Sequence, residues 1–167
     1  TFDTPPVTDV VALPSHRVAR TLVTNAPLRG RVAALVGTDP VEFFQVTTPK
    51  GVTLDGWMIR PANFDSTKRY PVLVNVYGEP ASQTVVDRWG GAGAVWHRML
   101  ANLGYLVVSF DNHGTPAPRG REWRKIIYGA IGPLSSQEQA DAMQTLARSR
   151  SYVDSTRVAI WGWSGGG

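Results

Sequence analysis

Arg157-Val158-Ala159-Ile160-Trp161-Gly162-Trp163-Ser164-Gly165-Gly166 is the stretch that decides the fold. Arg157 to Trp161 predicts a short buried β-strand, and the strand runs directly into G-x-S-x-G. A serine at the centre of that pattern sits on a sharp strand-to-helix turn, with its hydroxyl standing clear of the sheet. Gly162 and Gly166 leave room for such a turn, where larger residues would collide with the neighbouring backbone. A serine hydroxyl is a weak nucleophile until a histidine takes its proton and an acid orients that histidine. In folds built on this elbow both partners follow the serine in chain order. Only Gly165, Gly166 and Gly167 follow Ser164 here. The expectation is a nucleophile whose Asp and His partners lie beyond this stretch, and a stretch that is inactive on its own.

Working upstream, two more apolar runs read as strands of the same sheet. Pro71–Tyr77 (P-V-L-V-N-V-Y) and Tyr105–Phe110 (Y-L-V-V-S-F) are nearly continuous in apolar residues, as strands covered on both faces are. Between them Ala94–Leu103 carries Val95, Met99 and Leu103 on one helical stripe, with Gly104 at the C-terminal glycine position. Arg121–Tyr128 predicts a short helix. Ser135–Ser149 predicts a longer one, with Ser135-Ser136-Gln137-Glu138 as a capping box. Strands alternating with helices predict an α/β fold, a mostly parallel sheet with helices on its faces. Right-handed crossovers place the three strands side by side, so the loops after Tyr77, Asp111 and Trp161 share one edge.

The first part of the chain reads differently. Val7–Leu13 and Val18–Val23 form a predicted hairpin around Pro14-Ser15-His16, and Leu28–Leu35 fits either a short helix or a strand. Val41–Thr48 and Val52–Arg60 form a second pair around Pro49-Lys50-Gly51. The opening Thr1-Phe2-Asp3 carries no methionine and no signal sequence, and the stretch is expected to be internal to a longer protein.

Composition narrows the function classes. Apolar residues make up 43% of 167 residues and charged residues 18%, enough for a core and against disorder. The net charge of +4 is spread, apart from Arg119, Arg121, Arg124 and Lys125, and no nucleic-acid motif accompanies it. Those four residues read as a solvated helix face. Cysteine is absent, so disulfides and thiolate metal sites are excluded. No metal-ligand spacing, phosphate loop or dinucleotide fingerprint appears, so no metal or cofactor is expected. No apolar run reaches the length of a membrane span.

The site residues follow from the elbow. Ser164 is the candidate nucleophile, held by Gly162, Trp163 and Gly166, and the Gly165 backbone N–H is the first candidate oxyanion donor. Tyr77 ends one strand at the correct edge, and its phenol is read equally as a second donor or as an aromatic capping the sheet. His16 lies in a distant turn, His97 is placed on the polar face of its helix, and His113 stands in the loop at the right edge. All three precede Ser164, the wrong order for its base in this fold. Asp111 reads as a turn-stabilising carboxylate.

Four segments together resemble the prolyl oligopeptidase family of serine peptidases, nearest its dipeptidyl peptidase IV branch. They are D-G-W-M-I-R-P (55–61), Y-P-V-L-V-N-V-Y-G-E-P (70–80), D-N-H-G-T (111–115) and D-S-T-R-V-A-I-W-G-W-S-G-G-G (154–167). The resemblance implies a truncated α/β-hydrolase domain over residues 26–167, preceded over 1–25 by the end of a β-propeller. It implies proteolysis of dipeptidyl or prolyl type on peptide substrates, with Ser164 as nucleophile and Tyr77 in the oxyanion hole, and it admits a homodimeric parent. An acylaminoacyl peptidase or esterase of the same fold stays open, as does a non-catalytic binding domain. The chain departs from the branch in three places. A larger residue, often tyrosine, is usual at Gly165, where it borders the pocket for the proline-like residue. His113 stands for the arginine of D-x-R-G. The acidic V-E-D-Q stretch reads Gln137-Glu138-Gln139-Ala140.

Overall fold

A computed structural model describes residues 1–36 and 39–167. The chain runs β1 (Thr8–Ala12), β2 (Arg17–Val23), α1 (Ala26–Val36), β3 (Glu42–Thr47), β4 (Thr53–Ile59), β5 (Tyr70–Val76), α2 (Gly91–Asn102), β6 (Leu106–Asp111), α3 (Gly120–Lys125), α4 (Ile131–Ser149) and β7 (Val153–Gly162). A short 3₁₀ turn over Ser164–Gly166 follows. β3, β4, β6, β5 and β7 form one sheet in that order. The β3–β4 and β4–β6 pairs are antiparallel, whereas β6–β5 and β5–β7 are parallel. The sheet is therefore mixed, with its parallel half made by the three strands expected to lie side by side.

Helices cover both faces. Leu54, Met58, Val74, Val108 and Phe110 pack with Ala142, Met143 and Leu146 of α4 on one side. On the other, Trp57, Ile59 and Val107 meet Ala94 and Ala101 of α2 together with Phe2. Arg98 of α2 is almost fully buried and ties distant segments together, donating to Asp3 Oδ1 at 3.0 Å and to the Asp39 carbonyl at 2.9 Å. The opening residues thus pack into the α/β layer. The β1–β2 hairpin, by contrast, is exposed along every residue.

Four readings change on the structure. The stretch 28–35, open between helix and strand, lies within α1. Among the described residues the 157–161 strand lies at the margin of the sheet, paired with β5 alone, and Ile160 is 64% exposed. Its apolar residues satisfy the pattern of a covered strand, but burial depends on neighbours that periodicity does not report. The capping box is also corrected. α4 begins at Ile131, four residues before Ser135, because Pro133 falls in the first turn, where its missing N–H costs nothing. Finally, His97 is 7% exposed rather than on a polar helix face. Its ring lies between Trp57 and Trp161, with centroids 5.4 and 5.5 Å away.

Candidate active site

The edge formed by the ends of β5, β6 and β7 gathers the predicted residues. Ser164 lies just past β7 with φ of 55°, a left-handed conformation that a serine adopts only where the surroundings impose it. The turn closes by Gly166 N–H donating to the Trp163 carbonyl and Gly167 N–H to the Ser164 carbonyl, both at 3.0 Å. The glycines are there for space. A Cβ on Gly166 would overlap the Val76 carbonyl oxygen, and one on Gly162 would overlap the Gly166 carbonyl and lie 2.6 Å from the Val76 oxygen. The bend is thus pressed against the last residue of β5. Trp163 is 82% exposed, so the fit comes from the glycines rather than from its indole.

Tyr77 follows Val76 directly, and its Cα would lie 3.2 Å from a Cβ on Gly166. Tyr77, Gly78, Glu79, Gly165 and Gly166 together line a cavity of about 540 Å³, closed on other sides by α4 and β7. That size suits a small ligand or a segment of peptide. Ser164 itself is exposed beside it.

The loop carrying Tyr77 is clamped at Gly78. The Gly78 carbonyl accepts from Asn112 Nδ2 at 3.1 Å and from Ser135 Oγ at 2.8 Å. Asn112 is fully buried, also donates to the His113 carbonyl at 2.7 Å, and accepts from Gln139 Nε2 at 3.0 Å. Ser135 and Gln139 are interior residues of α4, so the helix braces the loop from beneath. Further along the same loop, the Asp111 carboxylate accepts from Thr84 N at 2.9 Å, Thr84 Oγ1 at 3.0 Å and Val85 N at 3.0 Å. Burial raises the Asp111 pKa, and these donors oppose that rise. The turn-stabilising role expected of Asp111 is what its contacts supply.

His113 is turned away from the elbow's needs. Its Nδ1 lies 2.6 Å from Glu138 Oε1, its backbone N–H donates to Glu138 Oε2 at 2.8 Å, and its ring packs 4.2 Å from Trp123. His97 is sealed behind the sheet, with no partner for Nε2 among the described residues, and burial pushes its pKa down to about 4. Arg119 pairs with Asp55 at 2.6 Å and lies over Trp123, while Arg121, Arg124 and Lys125 line a depression beyond Pro80. Among the described residues no cluster of three or more His, Cys, Asp or Glu side chains could hold a metal. No described helix is long and apolar enough to cross a membrane.

Sequence reasoning missed Asn112, Ser135, Gln139 and Glu79 as site-shaping residues. Asn112 was legible as a polar residue beside a strand end. The other three gain meaning only from the fold.

A strand with a serine strained at its end, and a neighbouring strand whose following tyrosine reaches the same bend, belong to an α/β-hydrolase fold. The prolyl oligopeptidase family's sequence profile matches residues 96–167. The chain superposes on the crystal structure of Porphyromonas gingivalis dipeptidyl peptidase 4 with a TM-score of 0.89 and 38% identity, covering 99% of this chain and 23% of that one. A putative dipeptidyl aminopeptidase IV from Bacteroides ovatus gives 0.81 and 29%, with the same coverage. The probable dipeptidyl-aminopeptidase B of Uncinocarpus reesii is 37% identical over 160 residues, which are 95% of this chain and 17% of the relative. That of Botryotinia fuckeliana is 41% identical over 128 residues, 77% of this chain and 14% of the relative. Over this stretch the chain is similar to the prolyl oligopeptidase family. It spans 13–17% of the length of the curated relatives it matches.

Proposed function

We propose that this chain is the elbow-bearing part of a longer serine peptidase that releases short peptides, of the dipeptidyl-peptidase type. Ser164 Oγ attacks the scissile carbonyl, and its proton passes to a histidine supplied by the rest of that protein. The oxygen gains negative charge as the tetrahedral intermediate forms, and the Gly165 N–H and the Tyr77 phenol donate to it. Collapse of the intermediate breaks the C–N bond, the histidine's proton leaves with the amine, and water then hydrolyses the acyl-serine. Residues 1–25 contribute the end of a β-propeller and residues 26–167 the start of the peptidase domain. The fully exposed hairpin over 8–23 supports that division, although Phe2 and Asp3 pack with the peptidase layer.

One observation carries this reading: Ser164 sits at φ 55° in a bend whose glycines, Gly162 and Gly166, close on Val76, with Tyr77 the next residue along. Strain of about 1–3 kcal/mol persists only where the surroundings enforce it, and such positions concentrate at active sites. The relatives' names, dipeptidyl-aminopeptidase and dipeptidyl peptidase, support the peptide substrate class. The test is covalent labelling of the full-length protein by a fluorophosphonate, with turnover of a Gly-Pro chromogenic substrate. Both are expected to vanish in Ser164→Ala. Undiminished labelling of that variant would remove Ser164 from the nucleophile's role.

A further inference from the structure

Glu79 occupies the space that a side chain at position 165 would fill. A Cβ on Gly165 would overlap the Glu79 carboxylate and lie 2.6 Å from its Cγ. The two residues reach this point from different strands, Glu79 two residues past Tyr77 after β5 and Gly165 one past Ser164 after β7. The resemblance places a larger residue, often tyrosine, at 165, bordering the pocket for the substrate's proline-like residue. In this chain the wall there is glycine, and a carboxylate stands in its place.

That carboxylate lines the 540 Å³ cavity along with Tyr77, and Val74, Val76, Ile131 and Met143 supply apolar surface. Nine ion pairs occur among the described residues, and none includes Glu79. The nearby cations Arg121, Arg124 and Lys125 line a separate depression beyond Pro80. Among the described residues that line this cavity, Glu79 is the one with a charged side chain. Apolar walls strengthen its attraction for a positive group that enters.

We propose that Glu79 is a specificity-determining residue whose carboxylate binds a cationic group of the substrate, an ammonium or guanidinium, next to the scissile bond. This rests on the serine-peptidase reading above. The positive group has two possible sources, the side chain of the residue whose carbonyl is attacked or the free α-amine of the peptide.

The experiment measures kcat/KM for the full-length protein and its Glu79→Gln variant on the p-nitroanilides of Gly-Lys, Gly-norleucine, N-acetyl-Gly-Lys and N-acetyl-Gly-norleucine. Norleucine keeps the aliphatic stem of lysine without its charge. With a side-chain source, the wild type prefers Lys to norleucine by about 10- to 100-fold, the size of a hydrogen bond to a charged group, and Glu79→Gln brings the ratio near one. With an α-amine source, Lys and norleucine are cleaved alike, N-acetylation costs the wild type about the same factor, and Glu79→Gln abolishes that cost. Either pattern supports the carboxylate as the cation's partner. A wild type indifferent both to lysine's charge and to acetylation overturns the proposal without any variant. So does a preference that Glu79→Gln leaves intact. Fluorophosphonate labelling of the wild type at Ser164 runs in parallel. Labelled serine with flat ratios sinks Glu79's role alone, whereas absent labelling sinks the peptidase reading and this proposal with it.

Discussion

Acid should weaken this fold through one imidazole. His97 is 7% exposed, wedged between Trp57 and Trp161, and its Nε2 has no partner among the described residues. Charging it there means desolvating an imidazolium with nothing to compensate, which is why its pKa falls from 6.5 to about 4. The folded pKa lies below the unfolded one, so the unfolded chain binds the proton first as pH drops. The neutral ring costs nothing above about pH 6.5, and stability is lost as pH falls from there towards 4. At about 1.4 kcal/mol per pH unit, lowering the pH from 7 to 5 should remove about 2 kcal/mol.

His97→Phe isolates this effect. The ring stays between the two indoles, while the titrating nitrogens go. At pH 7 the variant should lie within about 1 kcal/mol of wild type, since losing an orphaned polar atom offsets the imperfect fit of a larger ring. At pH 5 it should exceed wild type by about 2 kcal/mol more than at pH 7. Native-state hydrogen exchange of α2 peptides in the full-length protein reads the opening free energy at both pH values. Asp111, whose raised pKa acts with the opposite sign, is common to both proteins and cancels in the difference. Equal losses between pH 7 and 5 in wild type and variant would show that His97 is not the group that responds.

Two further outcomes follow from the elbow and its clamp. Gly166→Ala sets a methyl group into the Val76 carbonyl, backbone against backbone, and the displaced serine should label with fluorophosphonate at least about 100-fold more slowly. An unchanged labelling rate would mean that the elbow does not need this contact. Asn112→Ala strips one donor from the Gly78 carbonyl and leaves Gln139 Nε2 only its Phe110 carbonyl acceptor, which should cost about 1–3 kcal/mol of stability and lower kcat more than it raises KM. Thermal unfolding and steady-state kinetics check both halves, and a pure KM effect would contradict a role for the clamp in fixing Tyr77.

Much of this arrangement could be read from residues in line. The order of β5, α2, β6, α4 and β7 follows from runs of apolar residues and one helical stripe, because backbone hydrogen bonding leaves few other ways to bury them. Ser164 and Tyr77 were legible because a motif and a strand end are local features. Glu138 was not, because its sequence context as the end of a capping box competes with its actual place inside α4, and only the fold brings His113 to it. His97 was misplaced for a related reason. Its helix offers the ring no polar environment, but the Trp161 that covers one side comes from 64 positions further along the sequence and from another strand. Glu79 is the extreme case: its position matters only because position 165 is glycine, and that pairing spans two strand ends.

The strand that carries the serine is not the one that shapes the site. Among the described residues β7 pairs with β5 alone. β5 lies between β6 and β7, with hydrogen bonds on both sides. Its last residue, Val76, presses on Gly162 and Gly166, and the next three supply Tyr77, the clamped Gly78 and Glu79. The contacts of the serine's bend, Tyr77 and Glu79 therefore share one short piece of backbone. Moving the end of β5 moves all three together, so a change that loosens Gly78 should alter reactivity and substrate preference at once.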